Sequence, residues 1–172
     1  MKLFIKLIVL YFFLNNIVFG NEKINLRYID MNYIINNSDI GKKIIKKLED
    51  ENVKNINSFK NEEKKLAKTK SEILAQKNVI SEKEFEQKVI KHQENLNIYQ
   101  NKRKKSFEDM NNKKNNLTNS LLNKIDKILI EYSKNNSIDV ILKKESLIIS
   151  NSNFDITKNI LDIVNKTVKE IN

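Results

Sequence analysis

Few residues of this chain are equipped for covalent chemistry. It has one histidine, His92, and no cysteine, which excludes a thiolate nucleophile, a disulfide and a thiolate zinc site. With two glycines and no proline, it has no glycine loop to cradle a phosphate. Its carboxylate clusters, Glu62-Glu63, Glu82/Glu84/Glu86 and Glu108-Asp109, lie in charged segments where pairing with a lysine three or four residues away is the ordinary role. The expectation is a protein that is not an enzyme and holds no metal or cofactor. The chemistry left is that of charge. Lys64, Lys65, Lys68 and Lys70 form one dense cationic run, and Lys102, Arg103, Lys104 and Lys105 form another. These eight residues are the candidate surface for an acidic partner.

Where the charge sits sharpens that reading. The chain carries a formal net charge of +10, of which Lys2 and Lys6 supply 2. Residues 41–117 hold 20 basic and 12 acidic side chains, a net of +8, whereas 21–40 and 118–172 together hold 10 of each. Apart from the first two lysines, the excess lies in one stretch.

That stretch has the pattern of a helical hairpin. Phe59, Leu66, Ile73 and Ile80 fall seven apart, as do Val89, Leu96, Met110 and Leu117 once Arg103 fills the missing step. A seven-residue apolar repeat makes one seam of a supercoiled helix. Between the two series, Ser81 and Glu84 form a capping box that opens a new helix. The spacing predicts two long antiparallel helices over 41–117 with a turn near 78–82, the first about 38 residues and roughly 57 Å long. Phe59, Leu66, Ile73, Val89, Leu96 and Tyr99 are assigned to packing within the hairpin, and His92 to a polar position near the same seam. Lys70, Lys77 and Arg103 interrupt the seam, which predicts arms of low local stability.

The ends of the chain frame this arm. Residues 1–20 have a basic start, an apolar run from Leu7 to Phe19 and small residues before Asn21, the layout of a secretory signal peptide. A retained anchor is the competing reading. Ile24 to Asp30 alternates as a half-buried strand does, and Asp30 can cap a short helix over Met31–Ile35. Beyond Leu117 the apolar stripe widens through Leu121, Leu122, Ile125, Ile128 and Leu129, so the second helix continues onto a packed body and stops near Asn135-Asn136-Ser137. Ile138–Leu142 and Ser146–Ser150 are β-branched runs that predict a strand hairpin turning at Lys143-Lys144-Glu145. Asp155-Ile156-Thr157 opens a last amphipathic helix. The predicted fold is α+β and mostly helical: a long antiparallel coiled-coil hairpin on a small β-containing body built from 21–40 and 118–172. Three short strands bury little, so copies are expected to associate through the body.

In this order the segments resemble the Skp (OmpH) periplasmic chaperones. The start, Ile29-Asp30-Met31 followed by Asn36-Asn37-Ser38-Asp39-Ile40-Gly41-Lys42-Lys43, is similar to theirs. So are Ile80-Ser81-Glu82-Lys83-Glu84-Phe85 at the turn, and Ile138–Leu142, Ser146–Ser150 and Phe154-Asp155-Ile156-Thr157 near the end. The resemblance implies a homotrimer whose bodies join and whose three hairpins hang around a cavity. It implies ATP-independent holding of unfolded outer-membrane proteins in the periplasm. Anionic lipid or lipopolysaccharide enters as a further partner, although none of the family's proposed lipopolysaccharide-site residues is carried onto this chain. Two other readings remain open at this point. One is an envelope structural protein anchored by an uncleaved first segment. The other is a nucleic-acid-binding coiled coil, which the export signal and the scarcity of arginine (Arg27 and Arg103) oppose.

Overall fold

The computed structural model describes residues 23–171; the segment read as an export signal lies outside them. Helices dominate. Strand β1 (Leu26–Ile29) leads into helix α1 (Met31–Asn37), then α2 (Asp39–Ala75), α3 (Glu82–Asn135), strand β2 (Val140–Lys143) and helix α4 (Thr157–Thr167). Helix α2 has 37 residues and α3 has 54, or about 55 and 81 Å at 1.5 Å per residue. They run antiparallel, and α3 outlasts its partner by about 17 residues that enter the body.

Side-chain caps set the helix starts. Asp30 accepts from the Tyr33 amide at 2.8 Å and caps α1. Ser38 caps α2 by accepting from the Gly41 amide at 3.1 Å. Helix α2 therefore begins two residues before Gly41. A Cβ at Gly41 would lie 1.7 Å from the Ile35 carbonyl oxygen, so only glycine lets the two helices meet this closely. At the far end, the Ser81 hydroxyl accepts from the Glu84 amide while the Glu84 carboxylate accepts from the Ser81 amide, the reciprocal capping box.

The sheet differs from the expectation. Among the described residues there are two named strands, and they pair in parallel, with Leu26 opposite Val140 and Ile29 opposite Lys143. A parallel pair needs a crossover connection, and here the entire helical arm is that connection. The strand hairpin predicted after Ile138 is not formed. Lys144–Ser146 is a 3₁₀ turn, Ser146–Ser150 forms no strand, and a single parallel bridge joins Tyr28 to Asp155 instead. Tight hairpins favour Asn-Gly or Asp-Gly turns, and Lys143-Lys144-Glu145 offers neither.

The core gathers side chains from both ends of the chain. Ile29, Ile34, Ile40, Leu121, Ile125, Ile156, Ile160, Val164 and Val168 form one buried cluster. Asp30 ties it together: its amide donates to Thr157 Oγ1 at 2.9 Å, and its carboxylate accepts from Lys144 Nζ at 3.1 Å. Asn25 closes the exit from α3, its side chain donating to the Ser137 carbonyl at 2.7 Å.

Candidate functional site

The arm is held together thinly. Away from its junction with the body, Ile73 and Tyr99 are the buried apolar side chains of the helix pair among the described residues. Phe59 meets Tyr99 edge-on with ring centroids 6.1 Å apart. Phe59, Leu66 and Leu96 are half-buried along the seam, and Val89 is exposed. Among the described residues three polar side-chain contacts also link the two arms of the hairpin: Lys102 to Glu62 at 3.0 Å, Lys113 to Glu51, and Lys88 to Gln76 at the end of α2.

All eight candidate cations are exposed, but they do not form one surface. Lys70, Arg103 and Lys104 border a cleft of about 720 Å³ whose walls include Leu66, Leu96 and Tyr99. Arg103 and Phe107 also border a second cleft, about 590 Å³, with Ile56, Phe59 and Met110. The two clefts therefore adjoin along one side of the helix pair. Lys102 and Lys105 border a smaller cleft of about 340 Å³ together with Glu51, Asp109 and Lys113. Asn55, Ser106 and Met110 border both this cleft and the 590 Å³ one, and helical rotation of about 100° per residue turns Lys102, Lys105 and Asp109 to the opposite side of that shared line from Arg103, Phe107 and Lys114. Lys64, Lys65 and Lys68 border none of these three. One residue rotates about 100° from the next along a helix, so an unbroken cationic run is divided between faces.

Pairing divides the cations further. Lys68 lies 3.8 Å from Glu72 and Lys104 lies 4.0 Å from Glu108, each one helical turn away. Lys102 pairs across the hairpin with Glu62. Among the described residues, Lys64, Lys65, Lys70, Arg103 and Lys105 have no carboxylate within ion-pair distance, so their charge acts outward. Arg27, the other arginine, belongs to the body, stacked 5.7 Å over Phe154.

The heptad reading passed over Phe107 and Ile56, which lie off the seam and are 69% and 55% exposed. A large aromatic one turn from Arg103 on an otherwise polar helix was the available signal. Two polar atoms also stand out near the seam: His92 Nδ1 and the Tyr99 hydroxyl are buried with no hydrogen-bond partner among the described residues. Both side chains border the 720 Å³ cleft. These residues contain no cluster of His, Asp or Glu suited to a metal, and no helix long and apolar enough to cross a membrane.

Comparison with known proteins is consistent with this geometry. The family model described as outer membrane protein (OmpH-like) matches residues 25–164. The crystal structure of an OmpH-like outer membrane chaperone candidate from Caulobacter crescentus CB15 superposes with a TM-score of 0.81 at 16% identity, covering 89% of this chain and 90% of that one. Among curated proteins none matches the sequence.

Proposed function

The chain belongs to the OmpH-like family, and from that premise we propose that it is a periplasmic holding chaperone, which keeps unfolded outer-membrane proteins soluble without nucleotide. The observation that carries the proposal is the division of charge. A net +8 lies on residues 41–117, and the rest of 21–172 is balanced. Cations on slender arms attract an acidic unfolded chain over a Debye length of about 8 Å at physiological salt. Release needs no energy source if each contact is weak and their number supplies the avidity.

Several arms must then act together, and the body supplies the means. Ile148 and Ile149 are 100% and 91% exposed, in the segment that follows strand β2, and β2 pairs only with β1 among the described residues. An exposed isoleucine pair and an open strand edge each suit contact between copies. We take the assembly to be the trimer implied by the resemblance, with the three arms enclosing a cavity for the client.

The test is dilution of a urea-unfolded porin into buffer containing the mature protein, with aggregation followed by light scattering. Suppression near stoichiometric trimer, without ATP, and weakening as salt rises from about 50 to 500 mM are expected. Aggregation at the rate of the porin alone, at low salt, would overturn the proposal.

A further inference from the structure

We infer that the positive excess on the arm has a second task, one that needs no client: it keeps the arms of different copies from packing on one another, so that copies meet through their bodies. This rests on the association through the body proposed above and adds why the arms stay apart.

Apolar exposure does not choose between the two ends of the molecule. Ile148 and Ile149 stand out from the body, but Ile56, Leu74, Val79, Ile98 and Phe107 of the arm are also more than half exposed. Nor are the arm's apolar side chains confined to one side. Ile56 and Phe107 border the 590 Å³ cleft, whereas Ile98 borders none of the three clefts described above. A sparsely packed helix pair with apolar residues exposed along its length is a ready surface for a second such pair.

Charge does choose. Residues 41–117 carry a net +8, and the rest of 21–172 is balanced. Spread along the 37 residues of α2, that is one net charge per about 7 Å of arm. The spacing is shorter than the Debye length of about 8 Å at physiological salt. Two arms laid side by side would therefore hold like charges within screening range along their whole length, while two bodies meet no such barrier. Repulsion against one geometry of association selects another.

The cations also surround the arm. A client drawn between arms would meet charge on one side of each arm only. Yet Lys70, Arg103 and Lys104 border the 720 Å³ cleft, Lys102 and Lys105 border the 340 Å³ cleft on the other side, and Lys64 and Lys65 border neither. Lys43, Lys46, Lys47 and Lys54 border a further groove on α2 alone. A second arm meets cations from whichever side it approaches. Within one arm, Lys102 with Glu62 and Lys113 with Glu51 join the two helices, so the excess is left facing outward.

The test is sedimentation velocity of the mature full-length protein without client, from about 1 to 100 μM in about 150 mM salt. Lys64→Glu, Lys65→Glu, Lys70→Glu and Lys105→Glu together bring the net charge of 41–117 to zero. Adding Lys43→Glu, Lys54→Glu, Lys60→Glu and Lys83→Glu inverts it to an equal negative charge. Wild type should reach a constant weight-average mass. The neutral arm should exceed that mass at least about twofold at the highest concentration. The inverted arm should return to the wild-type mass, because like charges of either sign repel. Ile98→Ala with Phe107→Ala, placed in the neutral arm, should raise the concentration needed for the doubling at least about fivefold.

A neutral arm that keeps the wild-type mass throughout would overturn the inference. So would an inverted arm that associates as the neutral one does, since substitution and not lost repulsion would then be the cause. Association unchanged by Ile98→Ala with Phe107→Ala would overturn it too, because the arm's apolar side chains would not be the contact. The readings proposed above fail separately. Wild type that stays a single chain at every concentration removes the joined bodies, and porin that aggregates beside it removes the holding function. Neither result alters the comparison among the arm variants.

Discussion

The body and the arm are built on opposite terms. The body draws nine buried apolar side chains from five elements and closes them under a short parallel sheet. Away from the junction, the arm buries Ile73 and Tyr99 and leaves Val53, Ile56, Ile90, Ile98 and Phe107 in solvent. The body is neutral, and the arm carries the positive excess. Buried core and cationic surface are thus placed in different parts of one chain, with α3 running through both. A core that held the arms rigid would also cover the apolar side chains they present. Sparse packing keeps those side chains available and lets the arms open locally at low cost.

The largest effect should come from striking the body's centre. Ile125 is fully buried where α3 meets the core. Ile125→Ala is expected to cost about 2–5 kcal/mol, because it removes apolar contact and leaves a cavity. Val89→Ala, at an exposed seam position of the arm, should cost no more than about 0.5 kcal/mol. Urea unfolding followed by circular dichroism measures both, and comparable losses would mean the arm is packed as firmly as the body. Amide exchange gives the same contrast without mutation: faster exchange over 60–100 than over 121–129 is expected.

A smaller effect should come from Asp30, the joint between the two ends of the chain. The Tyr33 amide, followed by Lys144, holds its carboxyl below the usual 3.8. A group with a lowered folded value stabilises the fold above its unfolded value of about 3.9 and loses that contribution as pH falls through the folded value. Lys144 is raised by the same partner, so its share is present below 10.5 and is lost as pH rises through the raised value. Asp30→Ala should cost about 1 kcal/mol at neutral pH through the lost cap. Asp30→Asn keeps a cap but not the charge. Its melting temperature should lie below that of the wild type at pH 7, and the gap should close as pH falls below 3.8 and through the lowered folded value. A gap that stayed constant across that range would show that the charge contributes nothing.

Much of this contrast could be read in the sequence. The hairpin was legible because a seven-residue apolar period and the Ser81–Glu84 box are local signals. The cap at Asp30 and the widening stripe through Leu121 and Ile125 were legible for the same reason. The sheet was not. Leu26 pairs with Val140, 114 residues away, and no short-range pattern distinguishes that partner from the apolar run at Ser146–Ser150. β-branched residues mark a surface that wants covering; they do not say that Ile148 and Ile149 remain uncovered in the single chain. The candidate site was half legible. The cationic runs stand out in composition, but neighbours such as Lys102 and Arg103 turn toward different clefts, and only the relative rotation of two helices sorts them. Phe107 escaped because the heptad directs attention to the seam, and the two clefts it borders lie beside the seam.

The smallest effect expected on stability is the one that separates the two regions most sharply. Lys102 and Glu62 join the two helices at 3.0 Å, with side chains 57% and 32% exposed. An ion pair this exposed gains little over hydrated charges, typically 0.2–1 kcal/mol, and salt screens it. Lys102→Ala should therefore shift the urea unfolding free energy by less than about 0.5 kcal/mol and leave the body's amide exchange unchanged. Arg103→Ala, one residue on and without a carboxylate partner among the described residues, should be as harmless to stability yet weaken porin holding more. If Lys102→Ala destabilised the body by more than about 1 kcal/mol, the arm would be bearing on the core through its ion pairs. The separation of stability from binding would then fail at its thinnest contact.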